Sequence, residues 1–261
     1  MTQHEQRGRS FELSVEVPGT PEEVWRAIAT GPGISSWYVP HQVQEQAGGV
    51  AVASFGDSPE MQISGRVAAW DPPRRIVFDG GEGVDGLAFE WLIEARTGGT
   101  CVVRLINSGF GSGAEWDAQF DGLQEGWPLF LRNLQLHLTH FGGQTATSAL
   151  PMAPWAGAPD EAWDRLMQAL GVPADAGESD RLVLQATGSP RLAGTVIERA
   201  QRRLALLVDE PAPGTAFIAA EHLGDASGVS IWSYLYGPEG AEAASQDGPA
   251  WQAWLHSHAE A

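Results

Sequence analysis

Two stretches of this chain carry nearly the same phrase, "GTPEEVWRAI" at Gly19–Ile28 and "GAPDEAWDRL" at Gly157–Leu166. Each sets Pro two residues after Gly, then two acids, then Trp and an aliphatic residue at fixed offsets. Three further blocks repeat in the same order. "SGRVAAWDPPRRIVFD" at Ser64–Asp79 is echoed by "AGTVIERAQRRLALLVD" at Ala193–Asp209. "LAFEWLIEARTGGTCVVRLINSGFG" is echoed by "TAFIAAEHLGDASGVSIWSYLYG", and "GWPLFL" at Gly126–Leu131 by "AWQAWL" at Ala250–Leu255. Ordered recurrence of this kind marks an internal duplication. The chain therefore reads as two domains of one architecture, residues 1–143 and 144–261.

The copies are unequal. From Pro21 to Trp127 is 106 positions, but from Pro159 to Trp251 only 92. Most of the missing length falls where the first copy reads "SSWYVPH". Ala158 also stands where the first copy has the capping Thr20. The second copy is a trimmed one, read as supporting rather than acting. The intervening "GGQTATSALPMAPWAG" reads as a linker, its prolines and small residues permitting either packed domains or beads. Packing is preferred, because a shortened copy standing alone would expose part of its core.

Within the first copy, Phe11, Leu13, Val15 and Val17 alternate with polar neighbours, the period of a half-buried strand. "GTPEEVW" then starts a helix. Thr20 and Glu23 have capping-box spacing, and Pro21 sits where its missing N–H costs nothing. "TGPG" ends this helix near Ala29, and "ISSWY" suggests one further helical turn. From Val50 to Ser108, short apolar runs are separated by "GDSP", "DPP", "GGEGVDG" and "RTGG", which predicts an antiparallel meander. Finally Trp116, Phe120, Leu123, Trp127, Phe130, Leu134, Leu138 and Phe141 recur at steps of three and four, an amphipathic helix. Pro128 is expected to kink or divide it. Helices gathered on one side of an antiparallel sheet make an α+β architecture.

Charge narrows the partners. The net charge is −18, shared equally between the two copies, and all fifteen cations are Arg. Such a surface repels phosphate backbones and anionic membranes, so no nucleic acid is expected as partner. No apolar run approaches the roughly 18 residues a membrane-spanning helix needs, so no membrane insertion is expected. A single cysteine, Cys101, precludes an intramolecular disulfide and fits a reducing, cytoplasmic setting.

The motifs "TPEEVWRAIATGPGISSWY", "VRLINSGF" and "EGWPLFLRNLQLHL" resemble the SRPBCC or START-like superfamily. Within it they are closest to bacterial proteins named after the activator of the heat-shock-protein-90 ATPase. The resemblance covers roughly residues 9–141, with a fainter match over 144–261. It implies a helix-grip fold, a curved antiparallel sheet wrapped round the long C-terminal helix with a hydrophobic pocket between. It also implies ligands that are lipids, sterols, polyketides or other apolar molecules, and in some relatives cyclisation or dehydration.

Residues for that pocket follow from phase. On the strand at Leu87–Glu94, Leu87, Phe89, Trp91 and Ile93 share one face; on the next, Val103, Leu105 and Asn107 do. The resemblance turns both sets inward. Phe89, Trp91, Leu105, Asn107, Trp116, Phe120, Trp127 and Phe130 are the expected lining, with Trp37, Tyr38 and His41 at the mouth. The same aromatics would equally serve a filled core. Asn107 stands apart, since a buried amide needs a partner and no local cap supplies one.

Other chemistry finds little support. His137 and His140 lie three apart but lack a third ligand, and His256 and His258 read as solvated, so no metal is expected. "NSGFGSGAEW" imitates a phosphate loop with the wrong spacing, among antiparallel strands and without a lysine, so its glycines read as a strand-to-helix turn and no cofactor is expected. Cys101 has no activating neighbour. No nucleophile elbow is present, and no acid–base pair has diagnostic spacing. Binding a small hydrophobic or amphipathic molecule is thus preferred to catalysis. The alternatives are a cyclase or dehydratase using Asn107, Tyr38 or His41 in the same pocket, and a chaperone-associated module whose second domain docks a protein partner.

Overall fold

In the computed structural model, residues 9–56, 59–80, 86–224 and 226–259 are described. The polar N-terminus and the centres of the "GDSP" and "GGEGVDG" breakers lie outside them. The chain divides into two compact units, Met1–Gly143 and Gln144–Ala261.

The first unit opens with β1 (Arg9–Pro18), α1 (Pro21–Ala29) and α2 (Gly31–Ser35). It continues through β2 (His41–Val43), β3 (Val50–Ser54), β4 (Gln62–Asp71), β5 (Arg75–Asp79), β6 (Ala88–Arg96) and β7 (Thr100–Phe110), and ends in α3 (Ala114–His140). The seven strands form one sheet in the order β1-β7-β6-β5-β4-β3-β2, and each pairing is antiparallel. This is the expected α+β helix-grip arrangement, with α3 lying along β1 and the apolar sheet face.

Local chemistry accounts for the helix starts. Thr20 N–H donates to Glu23 Oε2 at 2.8 Å and Thr20 Oγ1 accepts from Glu23 N–H at 3.3 Å, the full capping box. "TGPG" does more than stop α1. Thr30 Oγ1 accepts from Gly33 N–H at 3.1 Å, so Thr30 caps α2, which starts earlier than "ISSWY" suggested. Pro128 does not divide α3, which runs unbroken for 27 residues. Gly109 near the end of β7 and Gly113 at the start of α3 take positive φ, +87° and +111°, backbone that other residues rarely adopt.

The phase reading of the sheet agrees with burial. Trp91 and Ile93 on β6, and Cys101, Val103, Leu105 and Asn107 on β7, are buried. Arg104, out of phase, faces the other way and binds Glu12 at 2.8 Å and Glu94 at 3.1 Å.

The second unit contains β8 (Ala146–Ala149), β9 (Met152–Trp155), α4 (Pro159–Leu170), β10 (Arg181–Leu184), β11 (Leu192–Ala200), β12 (Arg203–Glu210), β13 (Gly214–Leu223), β14 (Ala226–Tyr236) and α5 (Gly237–Ser257). Its order is β10-β11-β12-β13-β14-β8, with β9 also on β14. That repeats the first sheet's path, lacking counterparts of α2 and β2. The supposed linker is structure instead. β8 and β9 pair in succession with β14, where the first unit has the single strand β1 beside β7. Pro151 interrupts the edge between them, its carbonyl accepting from Ile231 N–H at 3.1 Å. At α4 only half of the capping box survives, Ala158 N–H donating to Glu161 Oε2 at 3.4 Å, because alanine has no side-chain acceptor to return.

The second unit's interior is a packed apolar cluster. Leu204, Leu206, Ala216, Ile218 and Ile231 from the sheet meet Trp251, Trp254 and Leu255 from α5. Trp155 lies within it, its indole N–H donating to the Leu255 carbonyl at 3.0 Å.

Candidate functional site

In the first unit a cavity of about 450 Å³ separates sheet from helix. Its floor is β3 to β6, with Ala51, Ala53, Phe78, Phe89 and Trp91. One side is the α3 stripe of Trp116, Gln119, Leu123 and Trp127. The other comprises Ile28 on α1, Ile34 on α2, and Trp37, Tyr38 and His41 after it. Phe55 and Ile63 form part of the rim and are 36% and 61% exposed.

Space arises from residue size. Ala51 and Ala53 are in phase on β3 and line the cavity, where a methyl group fills far less space than the aromatic rings of the other walls. Those rings brace one another, Trp91 edge to face with both Trp37 and Trp127, so they do not collapse inward. Trp91 contacts Trp37 at 5.7 Å and Trp127 at 5.5 Å between centroids, and Tyr38 contacts Trp127 at 4.9 Å.

The segment carrying Trp37, Tyr38 and His41 is fixed from several sides. Trp37 donates its indole N–H to the Ala27 carbonyl at 2.8 Å, and its own carbonyl accepts from Asn133 Nδ2 at 2.9 Å. His41 N–H donates to Ser35 Oγ at 2.8 Å, and β2 pairs His41 opposite Ala53. His41 Nδ1 lies 2.8 Å from the Val39 carbonyl. A carbonyl only accepts, so Nδ1 carries the proton and Nε2 is the bare nitrogen. Burial lowers the His41 pKa, opposed in part by that hydrogen bond, and burial raises that of the Tyr38 hydroxyl. Both are neutral at pH 7: one is an acceptor, the other a donor. Asp79 on the wall is held by Arg66 at 2.9 Å.

Of the residues expected from sequence, Trp37, Tyr38, His41, Phe89, Trp91, Trp116 and Trp127 line the cavity. Trp37 is not at the mouth but behind it, 1% exposed. Four lie off the wall. Leu105 is core. Phe120 turns toward β1 and the end of β7, meeting Phe11 at 5.3 Å and Phe110 at 4.9 Å. Phe130 packs edge-on against Tyr38 at 4.5 Å. Asn107 is fully buried behind the wall, opposite Phe89 and Phe11 in the sheet register, with neither end of its amide hydrogen-bonded. The Trp127 indole N–H is likewise without a partner.

Sequence reasoning missed Phe55, Ile63, Phe78, Leu123 and the two alanines. Phe78 was readable from the phase of β5, where it pairs with Phe89. The alanines carried no signal, since a void is written by what is missing.

The remaining candidates separate. His137 is buried in α3 whereas His140 is exposed, so the pair does not converge. Cys101 is fully buried, its thiol pushed up by burial and by Glu22 and Glu23. No helix among the described residues is long and apolar enough to cross a membrane.

A curved antiparallel sheet gripping one long helix around an aromatic cavity defines the first unit as a helix-grip domain. Residues 18–139, most of that unit, match the family model described as Activator of Hsp90 ATPase homolog 1-like protein, in line with the resemblance read from sequence. No curated protein matches the chain. Among solved structures, the chain is similar to the di-domain ARO/CYC BexL from the BE-7585A biosynthetic pathway: 16% identity, 97% of this chain and 99% of that one, TM-score 0.45. It is similar to protein MLL2253 from Mesorhizobium loti at 18% identity, covering 51% of this chain and 98% of that one, TM-score 0.44. The Aha1 dimer from Colwellia psychrerythraea matches at 16% identity, over 50% of this chain and 96% of that one, TM-score 0.42.

Proposed function

We propose that the first unit binds a small hydrophobic or amphipathic molecule between its sheet and α3. The observation that carries this reading is the cavity itself, about 450 Å³ and walled by aromatic rings. Ligand pockets of folded proteins span roughly 300–1,000 Å³ and pair apolar walls with few polar groups. The small molecule is the partner; no cofactor enters the reading.

Native mass spectrometry of freshly purified protein tests it, alongside calorimetric titration with naphthalene. Ala53→Trp places an indole in the gap and is expected to abolish binding while the protein stays folded. Equal binding by the native and filled proteins would place the ligand elsewhere and end this reading.

A second reading is catalysis of cyclisation or dehydration at the same place. It rests on His41 and Tyr38, neutral acceptor and neutral donor, with ring centroids 5.5 Å apart on one wall. In such a reaction His41 Nε2 would take a proton from a carbon next to a carbonyl, while the Tyr38 hydroxyl donated to the carbonyl oxygen. Asn107, the third group weighed for this role, is closed off behind the wall. Unchanged turnover of a bound ketone by His41→Phe would remove this reading.

A further inference from the structure

We propose that the cavity selects uncharged, flat ligands bearing a hydroxyl group, and that His41 Nε2 is the selecting atom, accepting the hydrogen bond from that hydroxyl. The proposal rests on the binding reading above and adds the ligand's chemical class.

Three observations converge on it. First, aromatic rings, among them Trp37, Tyr38, Phe78, Phe89, Trp91 and Trp127, outnumber the aliphatic side chains of the wall, which favours a planar π system over a bent acyl chain. Second, among the described residues the wall includes no Arg, and the chain has no Lys. Asp79, which does line the cavity, is gripped by the Arg66 guanidinium through Nε at 2.9 Å and Nη2 at 3.4 Å. A ligand carboxylate or phosphate would therefore be desolvated against apolar rings and a carboxylate, in a protein of net charge −18. Third, His41 lines the cavity, and the Val39 carbonyl holds the proton on its Nδ1, which leaves Nε2 as the ring's lone pair. Its complement is an O–H donor. An ether or hydrocarbon leaves that nitrogen unpaired; a hydroxyl satisfies it.

Calorimetric titration of the full chain with naphthalene, 2-naphthol and 2-naphthoate at pH 7 tests the class. Native protein is expected to bind 2-naphthol about fivefold more tightly than naphthalene, the equivalent of one ordinary hydrogen bond. The carboxylate is expected to bind no better than naphthalene. His41→Phe is expected to bind naphthol and naphthalene equally, with naphthalene binding itself showing that the variant is folded. His41→Gln, which keeps an acceptor, is expected to restore part of the preference. Equal affinity of native protein for naphthol and naphthalene, a carboxylate that matches naphthol, or a preference that survives His41→Phe would each overturn the selection by His41 and leave the cavity reading standing. Failure of all three compounds to bind native protein would overturn both.

Discussion

The side-chain amide of Asn133 on α3 donates to the backbone carbonyl of Trp37 at 2.9 Å, and both residues are buried. The Trp37 indole N–H in turn donates to the Ala27 carbonyl, so this one residue links α1, the segment after α2, and α3. These bonds hold the aromatic side of the cavity at a set distance from the sheet. Asn133→Ala leaves a buried carbonyl without its donor, which costs about 1–3 kcal/mol. Urea denaturation is expected to show that loss, with weaker binding of naphthalene at temperatures where the variant is still folded. A variant as stable as the native protein would show that Trp37 is held by packing alone.

Asn107 predicts the opposite sign. Its amide is fully buried and neither end is hydrogen-bonded, so the folded state bears a desolvation cost without compensation. Asn107→Leu keeps nearly the same volume and removes both polar atoms. It is expected to raise stability by about 1–3 kcal/mol, read as a higher urea midpoint with an unchanged slope. Destabilisation instead would reveal an enclosed water serving the amide.

Gly33 sets how closely α2 follows α1. A Cβ there would stand 1.9 Å from the Arg26 carbonyl oxygen and 2.9 Å from Ala27 Cα, both backbone. Neither can yield without parting the helices. Gly33→Ala is therefore expected to cost about 1–3 kcal/mol as an overpacking change. Because α2 leads into Trp37, Tyr38 and His41, naphthalene affinity is expected to fall with stability. Denaturation and titration of the same preparation check both, and a variant unaffected in either would show that the α1–α2 junction is not rigid.

How far the sequence disclosed all this depended on signal length. Long periodic segments were readable: the alternation of β6 and β7, the α3 stripe, and the capping box at Thr20, each fixed by several residues acting together. Short elements were not. β2 has three residues, and β8 and β9 have four each, with Pro151 between them and Pro154 inside β9, so their pattern is that of a linker. Only pairing with β14, more than seventy residues away, makes them strands. At the site, phase showed which residues point inward but not which inward residues border space. Phe120 and Trp127 belong to one helical stripe, yet Phe120 meets Phe11 and Phe110 while Trp127 faces the gap left by small residues on β3.

His137 makes stability pH-dependent. It is buried in α3, and desolvation lowers its pKa from the ordinary value of 6.5 to about 4. The unfolded chain therefore binds a proton between pH 6.5 and 4 that the folded chain refuses. Stability from this group is fully present above pH 6.5 and declines as pH falls toward 4, by on the order of 3 kcal/mol across the window. His137→Leu removes the titrating ring, so its stability curve is expected to be flatter than the native one over that interval, whatever offset the substitution introduces at neutral pH. Urea midpoints for both proteins at half-unit steps from pH 7 to pH 4 measure the difference. Parallel curves would mean that His137 accepts its proton in the folded state as readily as in the unfolded chain, and that the acid sensitivity of the first unit comes from its carboxylates.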